Sequence, residues 1–149
     1  MRRNVYGLTL CAMLFALSYS ASAQQSGKIF RIGYLDSSTP SGSVVLVDTF
    51  RQELSNLGWI EGKNITIEHR FSEGKTDRLP ELAAELVRLK VDLIVVASTP
   101  PARAAKSATT TIPIVMAIAG DPVGAGLVAS LARPGGNVTG LSTFRDRAK

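Results

Sequence analysis

The residues with the clearest chemical potential are Ser98 and Thr99, which lie between an apolar stretch and two prolines, Pro100 and Pro101. Prolines in this position are typical of the first turn of a helix. Hydroxyl groups and unpaired backbone N–H groups at a helix N-terminus attract a carboxylate or a phosphate. The pattern therefore predicts an anion site or an ordinary helix cap, and one residue can serve both roles.

A second set of polar residues follows two other apolar stretches. Asp121 comes after one of them, and its carboxylate can either pair with a ligand ammonium group or cap a short helix that begins near Val123. Asp36, Ser37 and Ser38 come after the other. These three residues are either ligand contacts or plain loop residues solvated by water.

The remaining reactive residue types point to no cofactor, metal or catalytic chemistry. His69 is the only histidine and has no nearby Cys or second His, so we expect a satisfied structural histidine rather than a metal ligand. No G-x-S-x-G motif accompanies it. Residues 124–129 fit the G-x-G-x-x-G/A dinucleotide form, but they follow the fourth predicted strand rather than the first, and close packing explains their small side chains equally well.

Alternating strands and helices must position these residues. Apolar runs and period-two alternation predict five strands, and apolar spacings of three and four predict four helices. The predicted strands are 29–35, 64–71, 91–97, 112–117 and about 138–141; the predicted helices cover about 47–57, a segment capped by Asp77, a segment from Ser98 to about Ser107, and about 123–131. This order predicts an α/β, doubly wound domain with a mainly parallel five-stranded sheet. Ligands of such sheets bind outside the carboxyl ends of the strands, where the strand order reverses.

The N-terminus and the charge distribution indicate location and partner class. Arg2 and Arg3, an apolar run over residues 5–19 and the small residues Ala21 to Ala23 predict a secretory signal peptide over residues 1–23, and hence a periplasmic protein. Residues 24–28 would form a linker. The 17 basic residues, against 12 acidic ones, are scattered rather than clustered, so no nucleic-acid partner is expected.

Four motifs taken together resemble one family. They are FRQEL at residues 50–54, LGWIEGKN at 57–64, DRLPELA at 77–83 and DPVGAGLV at 121–128, with PGGNVTGLS at 134–142 as further support. In this order they resemble the bacterial ABC-transporter substrate-binding proteins of the type I periplasmic-binding, flavodoxin-like fold, some of which bind tryptophan or related amino acids.

The resemblance implies a site and partners. Two α/β lobes would close on a small-molecule ligand such as an amino acid and present it to an ABC permease in the membrane. Ser98 and Thr99 would receive the ligand carboxylate. Asp121 and the loop of Ser37 and Ser38 would complete the first lobe's half of the site.

The resemblance covers a single lobe. Residues 29–144 would form the N-terminal lobe, residues 145–149 no longer resemble the family, and the second lobe is expected to be missing. A dimer through the exposed lobe surface is then possible. We therefore expect a periplasmic solute-binding component rather than an enzyme. The alternatives are a small secreted α/β enzyme that uses Asp36, Asp121 or His69, and a single-lobe sensor or adaptor without transport activity.

Overall fold

The computed structural model describes residues 28–143. The predicted signal peptide and the charged segment 145–149 lie outside the described residues. Within residues 28–143, no helix combines the length and the apolar character that crossing a membrane requires.

Five strands and three α-helices alternate in the described part of the chain. They are β1 (Phe30–Asp36), α1 (Val44–Asn56), β2 (Ile65–Phe71), α2 (Leu79–Arg88), β3 (Leu93–Val96), α3 (Thr99–Ala108), β4 (Ile114–Ala119) and β5 (Val138–Ser142). The strand order is β2-β1-β3-β4-β5, and every pair of neighbours is parallel. The predicted α/β class and the doubly wound, parallel five-stranded sheet are confirmed.

The predicted helix over residues 123–131 is wrong, because the chain forms a single turn there. The Leu127 N–H donates to the Pro122 carbonyl at 2.8 Å, and the Gly126 N–H donates to the Val123 carbonyl at 2.9 Å. Gly126 has a φ of +69°. This is the glycine-terminated pattern that ends helices, and it stops the helix after one turn.

Helix α2 also begins differently from the prediction. Asp77 lies in a 3-10 turn (Thr76–Arg78), and the N-cap position belongs to Arg78, which makes no side-chain capping hydrogen bond. Asp77 is therefore not the N-cap. The apolar spacing that predicted this helix reflects burial, since Leu79, Leu82 and Leu86 face the core.

The two faces of the sheet are covered unequally. On one face α2 and α3 pack over a large core that includes Leu35, Ile94, Val96, Ile114 and Met116. On the other face the core is smaller, and α1 packs over β1 and β2. Side chains alternate between the faces of a strand. Leu141 of β5 lies on this second face and is 73% exposed, so the β5 side of the face is open in the described residues.

Candidate functional site

The strand order reverses at β1, which pairs with β2 on one side and with β3 on the other. Because these strands are parallel, the loops that follow them emerge at one edge of the sheet. The loop after β1 leads to α1 on one face, and the loop after β3 leads to α3 on the other face. We call residues 37–43 the β1 loop and residues 72–75 the β2 loop. This edge is where open α/β sheets bind ligands.

Asp36 is buried at this edge, with 5% of its surface exposed. Its Oδ1 accepts a hydrogen bond from the Ser38 N–H at 3.2 Å. Its Oδ2 accepts from the Ser38 hydroxyl at 3.0 Å, from the Tyr34 hydroxyl at 3.4 Å and from the Ser43 hydroxyl. The expectation that Asp36 is solvated is wrong, because side-chain and backbone donors replace water around its carboxylate.

The two serines after Asp36 differ in how their hydroxyls are used. The Ser38 hydroxyl contacts both Asp36 and the Ser43 hydroxyl. The Ser37 hydroxyl is buried and has no hydrogen-bond partner among the described residues. A buried polar atom without a partner is costly and is uncommon in folded proteins. The Ser37 hydroxyl is therefore the unsatisfied polar group of this loop.

The β2 loop fastens the β1 loop through its backbone. The Ser72 N–H donates to the Asp36 carbonyl at 2.9 Å, the Glu73 N–H to the Ser38 carbonyl at 3.1 Å, and the Gly74 N–H to the Ser37 carbonyl at 2.7 Å. The Ser72 hydroxyl adds a hydrogen bond to the Ser37 carbonyl at 3.3 Å. We call this set of contacts, together with those of the Asp36 carboxylate, the β1–β2 clamp.

Ser43 and Ser72 belong to the clamp but are not among the residues predicted for the site. Ser43 occupies the N-cap position of α1, but the helix was predicted to begin only near Val47. Ser72 directly follows the second predicted strand, yet its partners become visible only when β1 and β2 are known to be neighbours. A small polar residue directly before an apolar-periodic helix was the available signal for Ser43.

Ser98 lies at the N-cap position of α3 with an extended backbone, but its side chain makes no capping hydrogen bond. Its carbonyl accepts the Ala102 N–H at 3.2 Å. Because Pro100 and Pro101 have no N–H, Thr99 supplies the unpaired amide of this first turn. The donors available to an anion here are thus the Thr99 N–H and the hydroxyls of Ser98 and Thr99.

Asp121 is exposed beyond the end of β4, and its Oδ1 accepts the Gly124 N–H at 2.8 Å. It therefore caps the turn at residues 122–128, in place of the helix that was expected there. The segment that fits the dinucleotide form contributes to the same turn, in which Gly126 has a positive φ.

His69 lies on β2 beside Tyr34, away from the ends of β3 and β4. Its Nε2 is 3.1 Å from Arg51 Nη2. Since arginine can only donate, Nε2 must accept, and the proton of the neutral ring lies on Nδ1. Nδ1 is buried without a partner in the described residues, so the expectation of a satisfied histidine is correct for only one ring nitrogen.

Electrostatic surroundings shift the pKa values of two groups below α1. Burial, and then the Arg51 charge, lower the pKa of His69 from its ordinary value of 6.5. Burial, and then the negative charge of Asp36, raise the pKa of Tyr34 above its ordinary value of 10.0. Within residues 28–143, no group of three or more His, Cys, Asp or Glu side chains is arranged to hold a metal ion.

Comparison with known proteins agrees with this geometry. Residues 40–149 match the family described as ABC transporter substrate binding protein. A tyrosine-binding protein of Clostridioides difficile (strain R20291) is 43% identical over 95 residues, which is 64% of this chain and 28% of that protein.

Solved structures of 34% sequence identity share the fold. The ABC domain in complex with L-Trp from Streptococcus pneumonia has a TM-score of 0.70 and covers 76% of this chain and 38% of its own. The ligand-free, open structure of a substrate binding protein with adhesive properties from Clostridium difficile has a TM-score of 0.73, with coverages of 80% and 40%. A conserved domain protein from Vibrio cholerae has a TM-score of 0.74 and the same coverages.

The chain spans less than half the length of each of these relatives. Its described part therefore corresponds to a single α/β lobe of the periplasmic-binding type. Substrate-binding proteins of ABC importers are typically extracytoplasmic. Since the family match covers most of the residues, this chain belongs to the ABC transporter substrate binding protein family.

Proposed function

We propose that this chain is the N-terminal, ligand-binding lobe of a periplasmic solute-binding component of an ABC importer. Its ligand would be a small molecule of the amino-acid class, held outside the carboxyl ends of the sheet strands. The observation that carries the proposal is the buried Ser37 hydroxyl, which has no partner in the described residues and lies at the edge where the strand order reverses.

The polar groups around this edge match the two ends of an amino acid. Ser98 and Thr99, at the start of α3, would bind the carboxylate through hydroxyls and the Thr99 N–H. Asp121 would attract the ammonium group through the carboxylate that already caps its turn. Ser37 would add a hydrogen bond, while Ser38 is less available because Asp36 and Ser43 occupy its hydroxyl.

The names of two relatives narrow the ligand class. One relative is a tyrosine-binding protein, and another structure holds L-Trp. Tyrosine and tryptophan share the α-amino and α-carboxylate groups and an aromatic side chain. We therefore propose an aromatic L-amino acid as the first ligand to test.

The proposal includes location, partner and mechanism. A signal peptide over residues 1–23 would deliver the protein to the periplasm, and an ABC permease would receive the ligand. The protein would act by holding the ligand between lobes and would carry out no covalent chemistry. Pairing of two copies through the open face near Leu141 is a separate proposal for the oligomeric state, and it is supported by exposed apolar surface alone.

Calorimetric titration of the purified protein tests the proposal. We expect saturable binding of L-Tyr or L-Trp, and about tenfold weaker binding in Ser37→Ala and Thr99→Ala, since each loses a hydrogen bond to a charged or polar group. Thr110→Ala, an exposed change beyond the end of α3, is the matched control. A folded protein that binds neither amino acid, nor any other L-amino acid, contradicts the proposal.

A mass measurement of the protein recovered from the periplasm tests export. The mature chain should begin at Gln24. An intact Met1 in that fraction, or protein confined to the cytoplasm, contradicts the signal-peptide part of the proposal while leaving the binding part to calorimetry.

A further inference from the structure

Asp36 is buried at the carboxyl ends of the strands, where its carboxylate accepts hydrogen bonds from Ser38 and Ser43 of the β1 loop. We infer that Asp36 is a positioning residue, which fixes the β1 loop, and with it Ser37, at the carboxyl ends of the strands before any ligand arrives. The ligand in this statement rests on the proposed function. The fixing of the loop does not, and it can be measured without a ligand.

The Asp36 carboxylate is saturated by hydrogen-bond donors of its own chain. Donors from Tyr34, Ser38 and Ser43 occupy its two oxygens. These donors lie before, within and at the end of the β1 loop. One carboxylate thus ties the end of β1, the first turn of the loop and the start of α1 to a single point.

The backbone of Ser37 is also held in place. Its carbonyl is fixed by the Gly74 N–H at 2.7 Å and by the Ser72 hydroxyl at 3.3 Å. With the backbone on both sides of Ser37 fixed, its side chain has few directions left. In a mobile loop the hydroxyl would turn to water or to a backbone carbonyl, but here it remains buried and unpartnered within the described residues.

Asp36 could act on a ligand either by direct contact or by positioning the β1 loop. A carboxylate that accepts from a backbone N–H and three hydroxyls has little capacity left for a ligand ammonium group. The Asp36 carboxylate is therefore engaged within the protein and is not itself a ligand contact. Substituting Asp36 should act on a ligand only through the shape of the loop.

Amide hydrogen exchange, followed by NMR without ligand, tests the inference. The reporters are the N–H groups of Ser43, Glu73 and Gly74, none of which bonds to the Asp36 side chain. In Asp36→Ala we expect their exchange to accelerate by about tenfold or more, since several hydrogen bonds to a charged group are lost. Asp36→Asn keeps one acceptor for the Ser38 N–H and should restore part of the protection.

Ile114→Val is the matched control, because it lowers stability from the core near the start of β4, at the opposite end of the sheet. It should leave the three reporter amides as protected as in the parent protein, apart from any change shared by all amides. Equal acceleration of core and loop amides in Asp36→Asn would overturn the inference, and so would unchanged reporter amides.

Affinity for L-Tyr or L-Trp, measured on the same variants, provides the second readout. Positioning predicts that affinity falls in the order parent, Asp36→Asn, Asp36→Ala, in step with reporter exchange. Loss of affinity with unchanged exchange would overturn the inference in favour of direct contact. If the parent protein binds no amino acid, the proposed function fails, and the exchange data alone decide whether Asp36 fixes the loop.

Discussion

The edge of the sheet at the carboxyl ends of the strands has two sides, which differ in how far apart in sequence their hydrogen-bonded residues lie. On the β1–β2 side, the clamp joins residues 35 positions apart in sequence, and a buried carboxylate lies at its centre. On the β3–β4 side, the polar residues make short local bonds. Asp121 bonds to Gly124 three residues later, and the Ser98 carbonyl accepts from Ala102 four residues later.

This difference shows how one edge of the sheet can have a fixed backbone and still keep hydroxyl groups without partners in the described residues. Long-range contacts on the β1–β2 side leave the Ser37 hydroxyl unpartnered by holding its backbone. Local contacts on the β3–β4 side use backbone groups and leave the Ser98 hydroxyl without a capping bond. The first side is held by contacts between distant parts of the sequence, and the second side by contacts within single turns.

The largest expected effect comes from Gly140→Ala, which would break the β4–β5 part of the second side. Gly140 has a φ of +143°, and a Cβ there would overlap the backbone oxygen of Met116 and lie 2.6 Å from its nitrogen. We expect a loss on the order of 3 kcal/mol in the free energy of unfolding, measured by urea denaturation.

Gly136→Ala is the control for that prediction, because a Cβ at Gly136 meets nothing within 4 Å and no unusual φ is required there. Its free energy of unfolding should stay close to the parent value. Equal effects of the two substitutions would show that β5 does not depend on close backbone approach.

The clamp is tested next by Ser43→Ala. Ser43 is 1% exposed and its hydroxyl donates to Asp36, so its removal leaves a buried carboxylate short of one donor. We expect a loss of about 2 kcal/mol in the free energy of unfolding. Ser41→Ala, in the exposed part of the same loop, should change it by less than about 0.5 kcal/mol. Similar losses in both variants would contradict a central role for the carboxylate.

Acidification should weaken the β1–β2 side through His69. The folded protein holds its pKa below 6.5, whereas the unfolded chain titrates near that value. The unfolded state therefore binds more protons, and stability is lost as the pH falls from about 7 toward the lowered pKa of His69. Urea denaturation of the parent protein and of His69→Phe should show a smaller pH dependence in the variant.

A second group checks the pH range of that effect. The Arg31 N–H and then Lys28 lower the pKa of Asp92 below 3.8, so its contribution is present above that pH and is lost only in stronger acid. Asp92 thus adds nothing to a slope between pH 7 and 5. A slope that persists unchanged in His69→Phe would contradict the assignment.

The smallest expected effect is on the β3–β4 side. Ser98→Ala should change the free energy of unfolding by less than about 0.5 kcal/mol, against about 1 kcal/mol for a typical capping serine, because its side chain makes no capping bond. Thr109→Ala, at the other end of α3, should cost more, since that hydroxyl accepts the N–H groups of Thr111 and Ile112. A loss in Ser98→Ala as large as in Thr109→Ala would show that Ser98 does cap the helix.

Much of the fold follows from local sequence patterns. The apolar run of β3 and the leucine stripe of α2 identify their elements because each reflects burial on a definite face. The error at residues 123–131 came from reading apolar spacing without the effect of Gly126, whose positive φ ends the turn. The rule that a glycine commonly ends a helix would have corrected this prediction from local sequence alone.

The site was less predictable than the fold, for a physical reason. The loops that border it follow from the α/β rule, and Ser37 was among the residues predicted to bind a ligand. The Asp36 carboxylate is buried by contacts with Tyr34 and Ser43, which depend on how the β1 loop folds back to the start of α1. The backbone contact of Ser72 forms only when β1 and β2 are paired in their observed register. No spacing in the sequence encodes that arrangement.

The long-range character of the clamp also orders the events of folding. The turn that Asp121 caps closes over a few residues, so it can form early and reversibly at little entropic cost. The contacts between the β1 loop and the β2 loop can form only after β1 and β2 have paired, so we expect them to form late in folding. During refolding, recovery of ligand binding should therefore lag behind recovery of helix content, and a binding-competent chain is one that has completed its sheet.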